Sequence, residues 1–306
     1  MSSRSDVALS VVVVVHDMER ELPRTLASLR PGYQAGIATD DYEIIVVDNG
    51  SRTPVRDLLH DWSGPSLRVE RIDDAPPSPA HAANVGLGLA GGELVGLIVD
   101  GARLASPGLL AWARRAAGLA ARPVITAPAF HLGAVPHMKA RDAGYDQAAE
   151  DALLARTGWE RDGYALFGVS TPGGSSSRGL FGPMGESSSL FTSRGIWDEL
   201  GGLDERFALP GGGLVNHDLY RRACGLDDVE LLLVLGEATF HQFHGGAATS
   251  RRLTWDEMHD EYQAIRGVAY VPPPNEPTYL GRAPATMLEY VEQSARKAAD
   301  RRDRRR

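Results

Sequence analysis

The chain holds one cysteine, Cys224, in 306 residues. A single thiol excludes a disulfide framework and points to a reducing, cytoplasmic setting. Flanked by Arg222 and Ala223 in a helical segment, it reads as a small core residue rather than a nucleophile. No apolar run approaches the roughly 20 residues of a membrane span. The β-branched run at 11–15 has only the length of a strand. The first six residues lack the charged-then-apolar pattern of a secretory leader. Internal repeats are also missing. There is no excess of positive charge: the net charge is −8, which argues against nucleic acid as the main partner. Basic residues gather instead in Arg301-Arg-Asp-Arg-Arg-Arg306. That tail reads as a frayed, solvated end, with peripheral contact to an anionic membrane surface as the sharper alternative.

What remains is ordinary for a globular α/β protein, with 43% hydrophobic and 24% charged residues. Positions 8–15 and 43–47 are β-branched runs buried on both faces, the mark of central parallel strands. A less apolar strand follows at 67–72, another at 94–99 and a further one at 124–127. Between them, leucine spacing predicts a helix from 20 to 29, and others are expected at 55–62, 81–89 and from 108 to about 120. Strand and helix alternating through short joins gives a mainly parallel central sheet flanked by helices, a Rossmann-like arrangement.

The second half is less regular. Positions 129–153 show little periodicity, and 172–185 form a Gly/Ser-rich stretch read as a mobile lid. A strand is expected at 186–192, helices at 194–200 and 216–222, and a buried strand at 231–235. Two further helices are expected at 258–266 and 284–301. The boundaries drawn are a domain at 7–250, with halves 7–128 and 129–250, and a C-terminal helical extension at 251–306.

Four clusters can carry chemistry. Asp48 follows a buried strand within Asp48-Asn-Gly-Ser51 and can accept from a base N–H or from ribose hydroxyls, or close an Asx turn. Asp100 ends the run Val95-Gly-Leu-Ile-Val-Asp100, where open sheets bind ligands, and Gly101 would let a ligand approach the backbone. Its hard oxygens suit Mg²⁺ or Mn²⁺, or it is a turn carboxylate. His241-Gln-Phe-His244-Gly-Gly246 sets two imidazoles beside a glycine pair, one able to ligate a metal and the other to bind phosphate or hold the loop. Asn216-His217-Asp218, with Glu186, offers a general base; otherwise Asp218 caps a helix and Glu186 is a surface strand residue.

Together these segments resemble a known family. Ser10-Val-Val-Val-Val-Val-His16, Glu43-Ile-Ile-Val-Val-Asp-Asn-Gly-Ser51, Ala83-Asn-Val-Gly86, Gly201-Gly-Leu-Asp-Glu-Arg-Phe207 and Gly211-Gly-Gly-Leu-Val-Asn-His-Asp-Leu-Tyr-Arg-Arg222 are similar to family 2 inverting glycosyltransferases of the GT-A fold, in the family's order. The resemblance implies a nucleoside-diphosphate sugar donor over the first sheet half and transfer to an acceptor hydroxyl, in glycan or glycoconjugate synthesis of the bacterial type. Asp48 would read the base or ribose, with His16, Asp17, Glu19 and Asn84 on the donor side. Asp100 would match the first acid of the family's DxD motif and His241 or His244 its late metal-binding histidine, holding Mn²⁺ or Mg²⁺. Asp218, Glu186 or His217 would serve as base.

The chain departs from the family at two points. The DxD position reads Asp100-Gly-Ala102, followed by Arg103, which can itself meet the diphosphate. The Glu-Asp that usually precedes the Asp-Leu of the later helix is replaced by Val215-Asn216. Both departures also suit a non-catalytic nucleotide-sugar-binding scaffold. A sugar nucleotidyltransferase shares this architecture but needs a glycine-rich basic loop where His16-Asp17-Met18-Glu19 stands.

Overall fold

The computed structural model describes residues 7–140, 144–244 and 253–304. The six N-terminal residues, Gly245-Gly246, the boundary drawn at 250/251 and the last two arginines lie outside the described residues. The first half alternates as expected. β1 (Leu9–Val15), α1 (Leu22–Ala27), β2 (Tyr42–Asp48), β3 (Ser66–Arg71), α2 (Ala80–Leu89) and β4 (Leu94–Ile98) come first. β5 (Arg103–Ala105), α3 (Leu109–Ala117), β6 (Pro123–Thr126), β7 (Ala129–Leu132), α4 (His137–Ala140), α5 (Gln147–Thr157) and β8 (Ser170–Pro172) follow. Then come β9 (Ser189–Ser193), α6 (Arg194–Leu200), α7 (Val215–Cys224), β10 (Glu230–Leu235) and β11 (Thr239–His241). The chain ends with α8 (Trp255–Arg266), β12 (Thr278–Gly281) and α9 (Leu288–Asp303).

Among the described residues, eight strands form the main sheet in the order β12-β10-β6-β9-β4-β1-β2-β3. β9 runs antiparallel to both its neighbours, β4 and β6, and the other pairings are parallel. The Val/Ile runs of β1 and β2 are buried along their whole length because helices cover both faces. One face packs α2, α6, α7 and α8 around Phe207, Trp197 and Tyr262. The other packs α1 and α3 around Leu22, Leu26 and Leu110.

The chain leaves the sheet after β6 and returns as β9. This excursion supplies β7 and β8, which join β5 and β11 in a second sheet, β5-β11-β7-β8, over a core of Phe130, Phe167 and Phe240. The register at the return is fixed at Gly96. Its Cα lies under the Phe191 ring, so that a Cβ there would come within 2.2 Å of it. Gly101 has a similar reason: a Cβ would meet Val15 Cγ2 at 2.8 Å, so packing rather than ligand approach demands glycine.

Several expectations shift. The helix at 55–62 is one 3₁₀ turn, Val55–Leu58, because only Val55 is buried and the Trp62 indole turns back to donate to the Pro65 carbonyl. The aperiodic 129–153 contains β7 and most of α5, whose apolar residues follow no clean stripe. Asn216, His217 and Asp218 lie inside α7, whose N-cap is Leu214, so they are not caps. The Gly/Ser-rich stretch is held down by α9. The Leu180 amide donates to Ser294 Oγ, Lys297 Nζ to the Ser177 carbonyl and Arg301 Nη2 to the Phe181 carbonyl at 2.6 Å.

The C-terminal segment is built into the whole. β12 extends the main sheet beside β10, and Met258, Tyr262 and Tyr270 join its core. Among the described residues, no helix is long and apolar enough to cross a membrane.

Candidate functional site

The C-terminal ends of β1, β2 and β4 lie at one edge of the main sheet. Asp100 stands just past β4. Its Oδ1 accepts from the Ala102 amide at 3.0 Å and its Oδ2 from Arg103 Nε at 3.0 Å. β5 returns antiparallel to β11, pairing Arg103 with His241. That pairing brings His241 Nε2 to 3.6 Å from Asp100 Oδ2, and His244 Nε2 to 3.1 Å from His241 Nε2. Asp100, His241 and His244 can each offer one ligand atom within 4.8 Å of the others. The loop bends after β11, so both imidazoles converge. Gln242 secures the bend: its amide donates to the Ala102 carbonyl and its side chain to Glu21 O and Thr25 Oγ1.

This donor set fits a divalent ion. One carboxylate and two imidazoles leave positions for a phosphate and water, and the mixed N/O set suits Mn²⁺ better than Mg²⁺. His241 is buried, which drives its pKa well below that of free histidine, so the ring is neutral and keeps a lone pair. Arg103, 13% exposed, places a guanidinium against the same Asp100 carboxylate.

The remaining donor-side candidates are arranged as follows. Asp48 is fully buried. It accepts from the Ser51 amide at 2.8 Å, the Val55 amide at 3.1 Å and Arg71 Nη1 at 2.6 Å, closing its own turn. Asp17 takes a left-handed backbone (φ 52°) and clasps Arg52 through that residue's amide and Nε. His16 is exposed and donates through Nδ1 to the Asn49 carbonyl. Glu19 is half-buried in the turn before α1. Asn84 faces 203–205, donating to the Leu203 carbonyl and Glu205 Oε1 and accepting from the Leu203 amide. Its polar atoms lock α2 to that loop and do not reach the Asp100 cluster.

The three base candidates separate. Asp218, 1% exposed, accepts from Arg222 Nε at 2.8 Å and from Arg266 Nε and Nη2 at 2.6 Å each. Both oxygens tie α7 to α8. Glu186 is different: Val99 N donates to Ser188 O and Ile98 pairs with Ser189, so Glu186 starts from the same sheet edge as Asp100. Its Oε2 lies 3.4 Å from His217 Nδ1, without hydrogen-bond alignment. Around His217, Tyr270 packs edge-on at 5.2 Å and the half-exposed Trp255 at 5.9 Å. The buried atoms Asn216 Oδ1, His217 Nδ1 and His259 Nε2 have no hydrogen-bond partner among the described residues.

Residues 10–100 match the family model described as Glycosyl transferase family 2, a span that ends on Asp100 itself. No curated protein sequence matches the chain. Solved structures do. S. aureus TarS 1–349 in complex with UDP-GlcNAc is 13% identical over 87% of this chain and 68% of its own, with a TM-score of 0.53. The mannosyltransferase PcManGT from Pyrobaculum calidifontis, in complex with GDP-Man and Mn²⁺, is 16% identical over 95% of this chain and 70% of its own, also at 0.53. The fold is that of the GT-A glycosyltransferases. The chain spans 43% of the longer S. aureus TarS structure and 60% of one TarS 1–349 chain.

Within this GT-A frame, sequence reasoning passed over several residues. Arg20 donates to Glu21, Glu150, Asp151 and the Phe243 carbonyl, tying the loop after β1 to α5 and to the histidine loop. Glu150, fully buried, accepts from the Phe243 amide at 2.7 Å, and burial lifts its pKa to about 7. His131 and His137 stack behind His241. No local signal flags Glu150 or the histidines, because the apolar residues of α5 follow no clean stripe.

Arg266 also bridges to Asp204, whose carboxyl is held well below the usual range, chiefly by the Arg206 guanidinium. A depressed folded pKa contributes stability above the unfolded value of 3.8, lost as pH falls through the folded one. Asp204→Asn should therefore lower the melting temperature at pH 7 by roughly 2–3 °C, from about 1–2 kcal/mol of charge-assisted bonding. The gap should begin to narrow below about pH 4 and close only in the stronger acid where the folded carboxyl itself protonates; a gap that never narrows with acid would show that the carboxylate's charge is not what counts.

Proposed function

We propose that this protein transfers a sugar from a nucleoside-diphosphate sugar to an acceptor hydroxyl, inverting the anomeric carbon. One observation carries the reading: Asp100, His241 and His244 converge at the sheet edge where open α/β folds bind ligands. The donor lies across β1, β2 and β4, its nucleoside against the turn that Asp48 holds and beside His16, Asp17 and Glu19. Asn84 acts at a distance, by fixing the 203–205 loop. A divalent ion held by Asp100, His241 and His244 would offset the charge that develops on the departing diphosphate. Arg103 faces the same phosphates with a fixed positive charge, which needs no reorganisation during the reaction. Glu186 takes the proton of the acceptor hydroxyl, and His217 orients it. Attack on the face opposite the leaving phosphate makes a single displacement that inverts. Asp218 contributes by holding the helix that carries His217.

The test is a thermal-shift series with UDP, GDP and other nucleoside diphosphates, each with Mn²⁺, with Mg²⁺ and with EDTA. At a hundred times the dissociation constant a ligand stabilises by about 2.7 kcal/mol. For a chain of 306 residues that is a rise of roughly 4 °C. One nucleotide should give that rise with Mn²⁺ and a smaller one with Mg²⁺. No shift with any nucleotide would refute the donor-site reading.

A non-catalytic nucleotide-sugar scaffold is favoured by the Arg103–Asp100 ion pair and by Ala102 in the place of a second acid. Sustained hydrolysis of the donor that Asp100→Ala removes would exclude it.

A further inference from the structure

His137 is the first residue of α4, in the aperiodic segment, and it is fully buried. It packs among His131 at 4.5 Å, His241 at 5.1 Å and Phe243 at 5.3 Å between ring centres. Its two nitrogens have unlike partners. Nε2 lies 2.9 Å from the Leu132 carbonyl, and Nδ1 lies 3.1 Å from His241 Nδ1. A carbonyl only accepts, so the proton of the neutral His137 ring sits on Nε2. Nδ1 is then an acceptor, and the hydrogen between the two rings must come from His241 Nδ1. A neutral His241 with its proton on Nδ1 carries its lone pair on Nε2, which accepts the hydrogen bond from His244 Nε2. That is the atom aimed at Asp100 Oδ2 and His244 Nε2. The backbone supports the arrangement, because the His137 amide donates to His131 Nδ1 at 2.9 Å and anchors the start of α4 beneath the stack.

We infer that His137 is a positioning residue that fixes the tautomer of His241, so that Nε2 is presented as a ligand atom before any ion arrives. The inference rests on reading Asp100, His241 and His244 as a divalent-ion site. The chemistry is general: a ligating histidine is oriented by whatever its second nitrogen donates to, and loss of that partner typically costs 10–100-fold in metal affinity. The usual partner is a carboxylate or a carbonyl. Here it is a second imidazole, itself set by the Leu132 carbonyl, so one backbone oxygen dictates the protonation of a ring two hydrogen bonds away.

Two measurements test this. The first needs no metal. In ¹⁵N-labelled protein in EDTA, ring correlations should show His241 protonated on Nδ1 in the wild type. In His137→Phe, which keeps an aromatic ring in the stack but removes both nitrogens, the Nε2–H form should appear. His137→Gln keeps one donor and one acceptor and should restore the Nδ1–H form. The second is Mn²⁺ affinity by electron paramagnetic resonance. His137→Phe should weaken binding about 10–100-fold and His137→Gln by less than about threefold, with melting temperatures checked alongside.

Nε2–H in the wild type, or a tautomer and an affinity both unmoved in His137→Phe, would overturn the inference. If His137→Phe does not fold, the wild-type spectrum alone decides it. Failure of the site reading looks different: the tautomers behave as expected, but the wild type binds no Mn²⁺, or binds it equally well as Asp100→Ala.

Discussion

Asp100→Ala is expected to cut donor turnover by roughly 10²–10³-fold and to remove the Mn²⁺-dependent part of the nucleotide thermal shift. Asp100 is the one carboxylate of the candidate ion site among the described residues. Its loss leaves two imidazoles, a set with little hold on Mn²⁺. It also leaves Arg103 without its acid at 13% exposure, a partly buried guanidinium free to pair with phosphate. Nucleotide binding in EDTA should therefore persist in Asp100→Ala, or even tighten, while catalysis falls. Arg103→Ala supplies the converse. It removes the competing cation, so Mn²⁺ should bind more tightly and activity should depend on it more strictly. Equal turnover by wild type and Asp100→Ala at saturating Mn²⁺ would remove Asp100 from the chemistry. Activity that survives EDTA but vanishes in Arg103→Ala would transfer the charge-balancing role to the arginine.

The second large effect separates two carboxylates that sequence alone treats as equals. Glu186→Gln should slow transfer by roughly 10²–10⁴-fold, the range of a general base, with little change in melting temperature. Asp218→Ala should do the reverse. It strips both partly buried guanidiniums of their shared acid, a loss of roughly 3–5 kcal/mol. For 306 residues that amounts to roughly 5–8 °C. Below its new melting temperature the variant should retain most of its kcat. A stable but inactive Asp218→Ala protein would reverse the assignment and return the base to α7.

That contrast shows where reading the sequence stops. The parallel half was legible because β1, β2 and β4 are short apolar runs with polar stops, a pattern that covered strands produce by themselves. Asp100 stood out for the same reason, as the polar stop of such a run, whereas the late histidines stood out only as a pair beside two glycines, because the strand that ends on His241, β11, is too short to show in the sequence. Asp218 was not, because its meaning lies in Arg266, 48 positions away on another helix. Asp48 and Asn84 are similar, their oxygens bound by neighbours that only the fold brings together. The span 129–153 hid β7, most of α5, His131 and His137, since it packs against the second sheet and loops rather than presenting one stripe to one core. The stretch at 172–185 read as a lid by composition, yet Gly179 and Gly182 pass close beneath α9, and backbone carbonyls of the stretch accept from Lys297 and Arg301.

Gly96 and Phe191 acquire a further meaning beside these carboxylates. Asp100 follows a strand that runs toward this sheet edge, whereas Glu186 precedes one that runs away from it, so their spacing depends on how β4 and β9 are aligned. A slip of two residues would part the two acids by about 7 Å and keep every hydrogen bond of the ladder type. The aromatic ring seated over the missing side chain works as a key in a keyway, and under the proposed function it is the gauge that would set how far the base stands from the ion site.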